Sequence, residues 1–254
     1  DYTLLIVRLP AYDARFEVAY YTAPLGILLF PDRILTVCHS DNEVMEDLRN
    51  GRVRGLDLRN KSAFVLHLLG RAAVVYLRHL KDINRQTSTI EHDLQRSVKN
   101  NELTQLLSLE KSLVFFTTSL KSNEILLEKL QSSRAMRFKE DETELLEDVL
   151  TDNKQAIEMA NIYSDILAGM MDAFASVISN NLNIVMKRLT SISVLLMLSN
   201  LIVSAFSMNV ETPLTGVKHA FWAITAVAAV ASFVGAILIS DFRPKFRRKK
   251  PLVR

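Results

Sequence analysis

The chain has 254 residues, 49% of them hydrophobic and 23% charged, with a formal net charge of +3. The apolar excess lies mostly beyond Leu189, which argues against a polytopic transporter and for a soluble region joined to a small membrane region. One cysteine, Cys38, excludes an intrachain disulfide and fits a reducing compartment.

In chain order, the first forty residues read as strands. Tyr2–Val7, Phe16–Tyr21, Gly26–Phe30 and Ile34–Val37 are short apolar or alternating runs, broken by Pro10, Pro24 and Pro31. After Pro31 no proline occurs until Pro213, and between Gly70 and Gly216 the only glycine is Gly169. An interval that long without breakers, rich in Leu, Glu, Lys and Gln, predicts long helices. They are placed at about 41–50, 61–99, 102–133, 141–207 and 217–241. The fourth, about 65 residues and ~100 Å at the helical rise, needs partner helices to persist in water. Phe64, Phe115, Phe116 and Phe138 read as core residues of helix packing.

Nothing charged occurs between Arg188 and Glu211, or between His219 and Asp241, so each interval holds roughly 20 uncharged residues, enough to cross a bilayer. The short connection between them makes a membrane hairpin. Lys187-Arg188 precede the first span, and Lys245, Arg247, Arg248, Lys249, Lys250 and Arg254 follow the second. By the positive-inside rule both termini are cytoplasmic and the loop faces out. The basic tail reads equally as a topology signal, an anionic-lipid contact or part of a gate. An acidic block, Glu140, Asp141, Glu142, Glu144, Glu147 and Asp148, opens the long fourth helix.

Asn183, Met186, Thr190, Ser193, Met197, Asn200, Ser204 and Ser207 form one stripe at spacings of three and four. Ile192, Leu195, Leu196, Leu198, Ile202 and Val203 lie opposite. Polar side chains in a membrane helix face protein or a water-filled cavity. The stripe therefore lines either a pore or a small-residue packing seam. Carried backwards through Ser179 and Ser176, it reaches the carboxylate of Asp172. The second span has only scattered Ser and Thr, and its alanines suit packing against lipid or a neighbouring helix.

His67, His79 and His92 form no i,i+4 pair and have no cysteine nearby, so a tight zinc cage is not expected. No Gly-rich phosphate loop, nucleophile elbow or paired catalytic motif occurs, which argues against an enzyme. Basic residues of the soluble part are interspersed with acids, and no nucleic-acid partner is expected.

The triplet Ser207-Met208-Asn209 at the outer end of the first span, behind a long charged region, resembles the CorA family of divalent-cation channels, whose signature there is Gly-Met-Asn. Met186-Lys187-Arg188-Leu189-Thr190 is similar to that family's Met-Lys-x-Leu-Thr. The resemblance implies an α+β cytoplasmic domain, partial at its N-terminus, with long stalk helices and a C-terminal two-helix transmembrane hairpin. It divides the chain into the C-terminal part of the α/β domain (1–60), long cytoplasmic helices (61–140) and a stalk helix (141–188). A pore-lining first span (189–209), an extracytoplasmic loop (210–219), a second span (220–240) and a basic tail (241–254) follow. The first part of the α/β domain would then be absent from the sequence.

The same resemblance makes Asn183, Met186, Leu189, Met197 and Asn200 pore-lining, with Ser193 on their stripe, and Ser207, Met208, Asn209 and Glu211 a selectivity filter. Serine stands where the family has glycine, Phe206 where it usually has tyrosine, and Asn200 where threonine is common. Asp148 and Asp172 match two stalk aspartates near regulatory metal sites, the partner of Asp148 lying on a neighbouring subunit. Asp148 alone reads also as one acid among six on a solvated helix face. The implied function is a homopentamer in the inner (plasma) membrane. It would move Mg²⁺ or a similar divalent cation (Co²⁺, Ni²⁺) down the membrane potential, with Mg²⁺ both transported and regulatory. The alternatives are a zinc transporter of the same superfamily or a membrane-anchored helical scaffold without transport.

Overall fold

The structure is a computed structural model that describes residues 2–53, 55–96, 100–132, 138–207 and 219–241. Its elements are β1 (Thr3–Tyr12), β2 (Tyr20–Leu29), β3 (Ile34–Cys38), α1 (Glu43–Arg49), α2 (Lys61–Arg96), α3 (Asn100–Ser132), α4 (Glu140–Phe206) and α5 (Ala220–Asp241). The chain divides into two compact units, Asp1–Ala175 and Ser176–Arg254, and α4 contributes to both.

In the first unit the strands form one antiparallel sheet in the order β1-β2-β3. Alternation along the strands places Leu5, Val7 and Leu9 of β1 and Leu25, Ile27 and Leu29 of β2 in the core, while Leu4 and Ile6 stay exposed on the other face. Only three strands form where four runs were expected. Only Tyr20 and Tyr21 of the second run are strand, continuous with the third run in β2 straight through Pro24, while 16–19 form the turn before it, and Pro10 lies inside β1. The register explains why neither proline breaks its strand. Arg8 pairs with Pro24, and the Arg8 backbone points away from β2, its N–H donating to Asn123 Oδ1 (2.9 Å) and its carbonyl accepting from Asn123 Nδ2 (2.8 Å). Arg8 and Pro24 are thus a non-hydrogen-bonded pair, so the missing N–H of Pro24 would have faced β3. That ladder already ends at Leu25–Cys38. Pro10, two residues from Arg8, likewise turns its nitrogen to the free edge of β1, where proline is tolerated.

The helices fill one side of the sheet with side chains at spacings of three and four. Leu68, Ala72, Tyr76, Leu80 and Ile83 of α2, Leu106, Leu109, Leu113, Phe116 and Leu120 of α3, and Val149, Asn153, Ala156 and Ala160 of α4 are all buried. Each large apolar side chain so enclosed contributes roughly 2 kcal/mol of burial. Phe64 and Phe116 are core residues as expected and Phe138 packs against the core. Phe115, one position out of phase with Phe116, is 44% exposed.

Polar side chains set the joints between these elements. Asn123 closes the free edge of β1 as a strand would, and Tyr76 Oη donates to the same Arg8 carbonyl at 3.0 Å. Asn42 caps α1 by accepting from the Val44 N–H at 2.8 Å and anchors it by donating to the Pro10 carbonyl at 2.7 Å. Gly51, at φ 65°, ends α1 in the left-handed conformation that a side chain would oppose. Glu142 starts α4: it accepts from the Lys139 N–H at 3.0 Å and from Asn60, whose own oxygen receives the Ala63 N–H at the start of α2. Gly70 lets α2 and α4 meet closely, because a Cβ there would sit 3.1 Å from Val149 Cγ2.

Asp47 is the most deeply buried carboxylate among the described residues of this unit, 2% exposed, held by Arg71 Nε at 2.8 Å and Arg52 Nη1 at 3.2 Å. Burial alone would raise its pKa, but Arg71 and then Arg52 outweigh it and hold the carboxyl below its ordinary 3.8. A depressed folded pKa means that the stabilisation is complete at neutral pH. It is lost only as pH falls below 3.8 toward the folded value. Asp47→Ala leaves two arginines without their partner and is expected to destabilise the unit by on the order of 3 kcal/mol. A denaturant midpoint unchanged from the parent would refute the assignment.

Candidate functional site

Among the described residues two helices, α2 and α4, are long and apolar enough to cross a membrane, and Phe221–Gly235 of α5, where the second span was expected, counts as a shorter apolar helix. In the Lys61–Leu94 part of α2 the apolar stretch is 61% buried within the first unit, as suits a core helix. In α4 none of it is buried. Leu182, Val185, Met186, Leu189, Ile192, Leu196, Met197 and Leu201 all stand exposed on the single chain, as do Phe221, Trp222, Val230 and Phe233 of α5. Apolar surface that continuous needs lipid or protein to cover it.

Within the second unit α4 and α5 pack as a hairpin along a seam of small residues. Between positions 181 and 207 only Ser191, Leu195, Ser199 and Ile202 of α4 are half-buried. On α5 the covered positions include Ile224, Ala228, Ser232 and Gly235. The Ser199 and Ser232 hydroxyls bond to each other across the seam. Each also lies within reach of the carbonyl four residues back, Leu195 O at 3.0 Å and Ala228 O at 2.8 Å. One hydroxyl therefore donates across the seam while the other donates to its own helix. A Cβ on Gly235 would sit 3.2 Å from Leu195 Cδ2, so the missing side chain is what admits Leu195.

The seam fixes the facing of the polar stripe. At 100° per residue, Met186, Ser193, Met197, Asn200 and Ser204 centre on a direction ~180° from Ser191, Leu195, Ser199 and Ile202. Asn183 and Leu189 border that direction on either side. All of these side chains are exposed. The small-residue packing seam and the polar stripe are thus two different faces of one helix. Ser193 Oγ donates to the Leu189 carbonyl at 3.0 Å and Ser207 Oγ to the Ser204 carbonyl at 3.0 Å, so both hydroxyls satisfy their donors locally and present lone pairs outward. The amides of Asn183 and Asn200 add stronger donors and acceptors to the same file. Met186 and Leu189, on adjacent turns, supply apolar bulk beside it.

Of the other expected site residues, Met208, Asn209 and Glu211 lie outside the described residues. Asp148 and Asp172 are exposed on the part of α4 in the first unit. Their 24-residue separation is ~36 Å along the helix, so one chain cannot bring both carboxylates to one ion. Among the described residues no three His, Cys, Asp or Glu side chains converge to hold a metal. The donors are carboxylate, amide and hydroxyl oxygens, which suit hard divalent cations. Leu195 and Ile202 of the seam were expected opposite the stripe, but Ser191, Ser199 and the α5 residues were not singled out from the sequence, although Ala228, Ser232 and Gly235 recur at helical spacing and carried the signal. Gly235→Ile should overpack the seam against Leu195 by about 1–3 kcal/mol and lower the unfolding midpoint in detergent, whereas Val230→Ile on the open face should not. Equal midpoints for the two variants would contradict the packing.

Comparison with known proteins agrees with this geometry. Residues 1–243 match the family described as CorA-like Mg2+ transporter protein. The cobalt/magnesium transport protein CorA of Methanocaldococcus jannaschii is 26% identical over 236 residues, covering 91% of this chain and 73% of its own. Its namesake from Thermotoga maritima is 22% identical over 253 residues, covering 96% of this chain and 70% of its own. The solved structure of the complete CorA magnesium transporter from Methanocaldococcus jannaschii superposes with a TM-score of 0.81 at 24% identity. That match spans 96% of this chain and 77% of the solved one. A sheet backed by long helices, one of which runs on into an exposed hairpin with a polar outer face, is thus matched over nearly the whole chain, which belongs to the CorA-like Mg2+ transporter family.

Proposed function

We propose that this chain is one subunit of a homopentameric membrane channel that conducts Mg²⁺ or a chemically similar divalent cation, Co²⁺ or Ni²⁺, into the cell. The observation that supports it best is the polar file on α4 facing away from the α5 seam. One helix cannot enclose a pore, but copies arranged around their polar files can, with the α5 helices outside in contact with lipid. Family membership and the names of its relatives point to the same cargo. The hairpin lies in the plasma membrane with both chain termini on the cytoplasmic side, as the flanking basic residues favour.

Mg²⁺ gives up its water reluctantly, so selection is easiest on the hydrated ion. A ring of Asn209 amides at the outer mouth, with Ser207 and Met208 around it and Glu211 raising the local cation concentration, would hydrogen-bond to that water shell. Asn200 and Asn183 offer further polar stations along the file, and Met197 and Ser193 fill the intervals. Rings of Met186 and Leu189 form an apolar neck that closes by dewetting when narrow. A divalent cation gains ~4.6 kcal/mol at 100 mV, so the membrane potential suffices to drive it. Cytoplasmic divalent cations bound at Asp148 and at Asp172, each with acidic groups of a neighbouring subunit, would hold the stalks together. When those ions leave, the carboxylates repel one another and the neck can open.

The decisive experiment is a liposome flux assay with Mg²⁺, Co²⁺, Ni²⁺ and Zn²⁺, alongside native mass spectrometry. A stable monomer without flux would sink the reading. Asn209→Ala should lower flux at least ~10-fold, the loss of about 1.4 kcal/mol of recognition, with the oligomer intact. Undiminished flux would remove that residue from the filter. Asp148→Ala and Asp172→Ala should weaken inhibition by internal Mg²⁺ while conduction persists, and an inhibition curve like the parent's would leave both as ordinary helix surface.

A further inference from the structure

His79 lies on α2 where that helix meets the β1–β2 end of the sheet and α3. Its ring centroid is 5.4 Å from that of Tyr20, 6.2 Å from Phe116 and 6.4 Å from Tyr12. The side chain is 7% exposed, and its buried Nδ1 has no hydrogen-bond partner. A neutral imidazole tolerates such a box, because its faces and edge pack as one more aromatic ring. An imidazolium does not, since both nitrogens must then donate and Nδ1 has no acceptor to meet.

The charged and titratable groups around it leave a proton poorly compensated. Arg78 and Asp82 stand on α2 itself, Glu43 on α1, Tyr12 on β1 and Tyr20 on β2, while α3 presents the uncharged Phe116. Glu43 is engaged by Arg78. The Tyr20 phenol, pushed up to about 12 first by burial, stays neutral and accepts from Gln86 Nε2 at 2.8 Å. Burial, then Arg78, holds the imidazole of His79 below its ordinary 6.5, against the weaker pull of Glu43 and Asp82.

The position matters because of what shares the layer. Tyr20 and Phe116 belong to the core cluster that also contains Tyr76, Leu80 and, from α4, Ala156, Ile157 and Ala160. We propose that His79 is a pH-sensitive switch in the core layer that seats α4. Neutral, it completes the aromatic packing; on acidification it takes a proton from solvent, leaves an unmet donor in the layer and loosens the seat of that helix. The unfolded chain takes its proton at the ordinary value and the folded chain only at a lower one. Stability therefore falls as pH drops through 6.5 and stops falling below the folded pKa. This does not depend on what the second unit transports.

The test uses the full chain in detergent micelles between about pH 5 and pH 8, the range in which imidazoles titrate. Exchange of the histidine C2 proton, read by mass spectrometry, gives a midpoint for each histidine. His79 should titrate below the ordinary imidazole value of 6.5. Amide exchange, corrected for its intrinsic pH dependence, should quicken several-fold on acidification in the segments covering β1, β2 and 146–160 of α4. That acid response should vanish in both His79→Phe and His79→Gln, since neither side chain titrates in this range. A His79 midpoint at or above 6.5 would overturn the proposal, as would an acid response unchanged in the variants. Should either variant fail to fold, the parent's own His79 midpoint still decides.

Discussion

The close approach of α4 and α5 at Ser199, Ser232 and Gly235 governs what the rest of the second unit can do. Once Leu195 packs where the Gly235 side chain would be, the rotation of α4 about its axis is no longer free. Every other property of that helix follows from the rotation. Asn200, Ser193 and Met186 are left on the far side because they sit half a turn from the seam residues, and the apolar flanks Leu196 and Leu201 are left for lipid or neighbouring copies. A hydroxyl pair suits such a seam, since a serine can bond across to its partner or back to its own helix without leaving a donor unmet.

The first unit solves a different problem, that of a small sheet with an open edge. Unpaired strand edges invite association. Here Asn123 occupies both polar groups of Arg8 and Asn42 takes the carbonyl of Pro10, so the exposed edge of β1 offers little to another strand. The same bonds dock α3 and the start of α1 onto the sheet. Glu142 does the corresponding work at the foot of α4, tying its first turn to the cap of α2 through Asn60. A helix as long as α4 is thereby given a fixed origin, and buried, paired polar groups set it with less ambiguity of register than apolar packing alone.

The ion chemistry that suits this chain is weak at each position. Hydroxyls bonded to their own helix, carboxamides and single exposed carboxylates bind a hydrated cation loosely, and no cluster of three His, Cys, Asp or Glu ligands converges among the described residues of one chain. Loose, repeated contacts favour passage over retention, because an ion that binds tightly at one level does not leave for the next.

Much of this organisation was legible in the residues. The long interval without proline between Pro31 and Pro213 points to long helices, the uncharged intervals to two apolar helices late in the chain, and the triplet at Ser207 with the Met186–Thr190 run pointed to the family that the comparisons established. The polar stripe could be written down from spacing alone, because helical periodicity is a local property. Its meaning could not, since a seam and a pore wall have the same composition. Only the packing of α4 on α5 shows that the covered seam and the exposed polar stripe lie on opposite faces of the helix. The same limit explains the strands. Pro10 and Pro24 break a strand or pass unnoticed according to which side of the ladder each nitrogen faces, and that is set by register with a partner strand. The exposure of Phe115 and the aromatic enclosure of His79 depend likewise on residues distant in sequence. Local periodicity belongs to the sequence, whereas facing and enclosure exist only once remote segments have met.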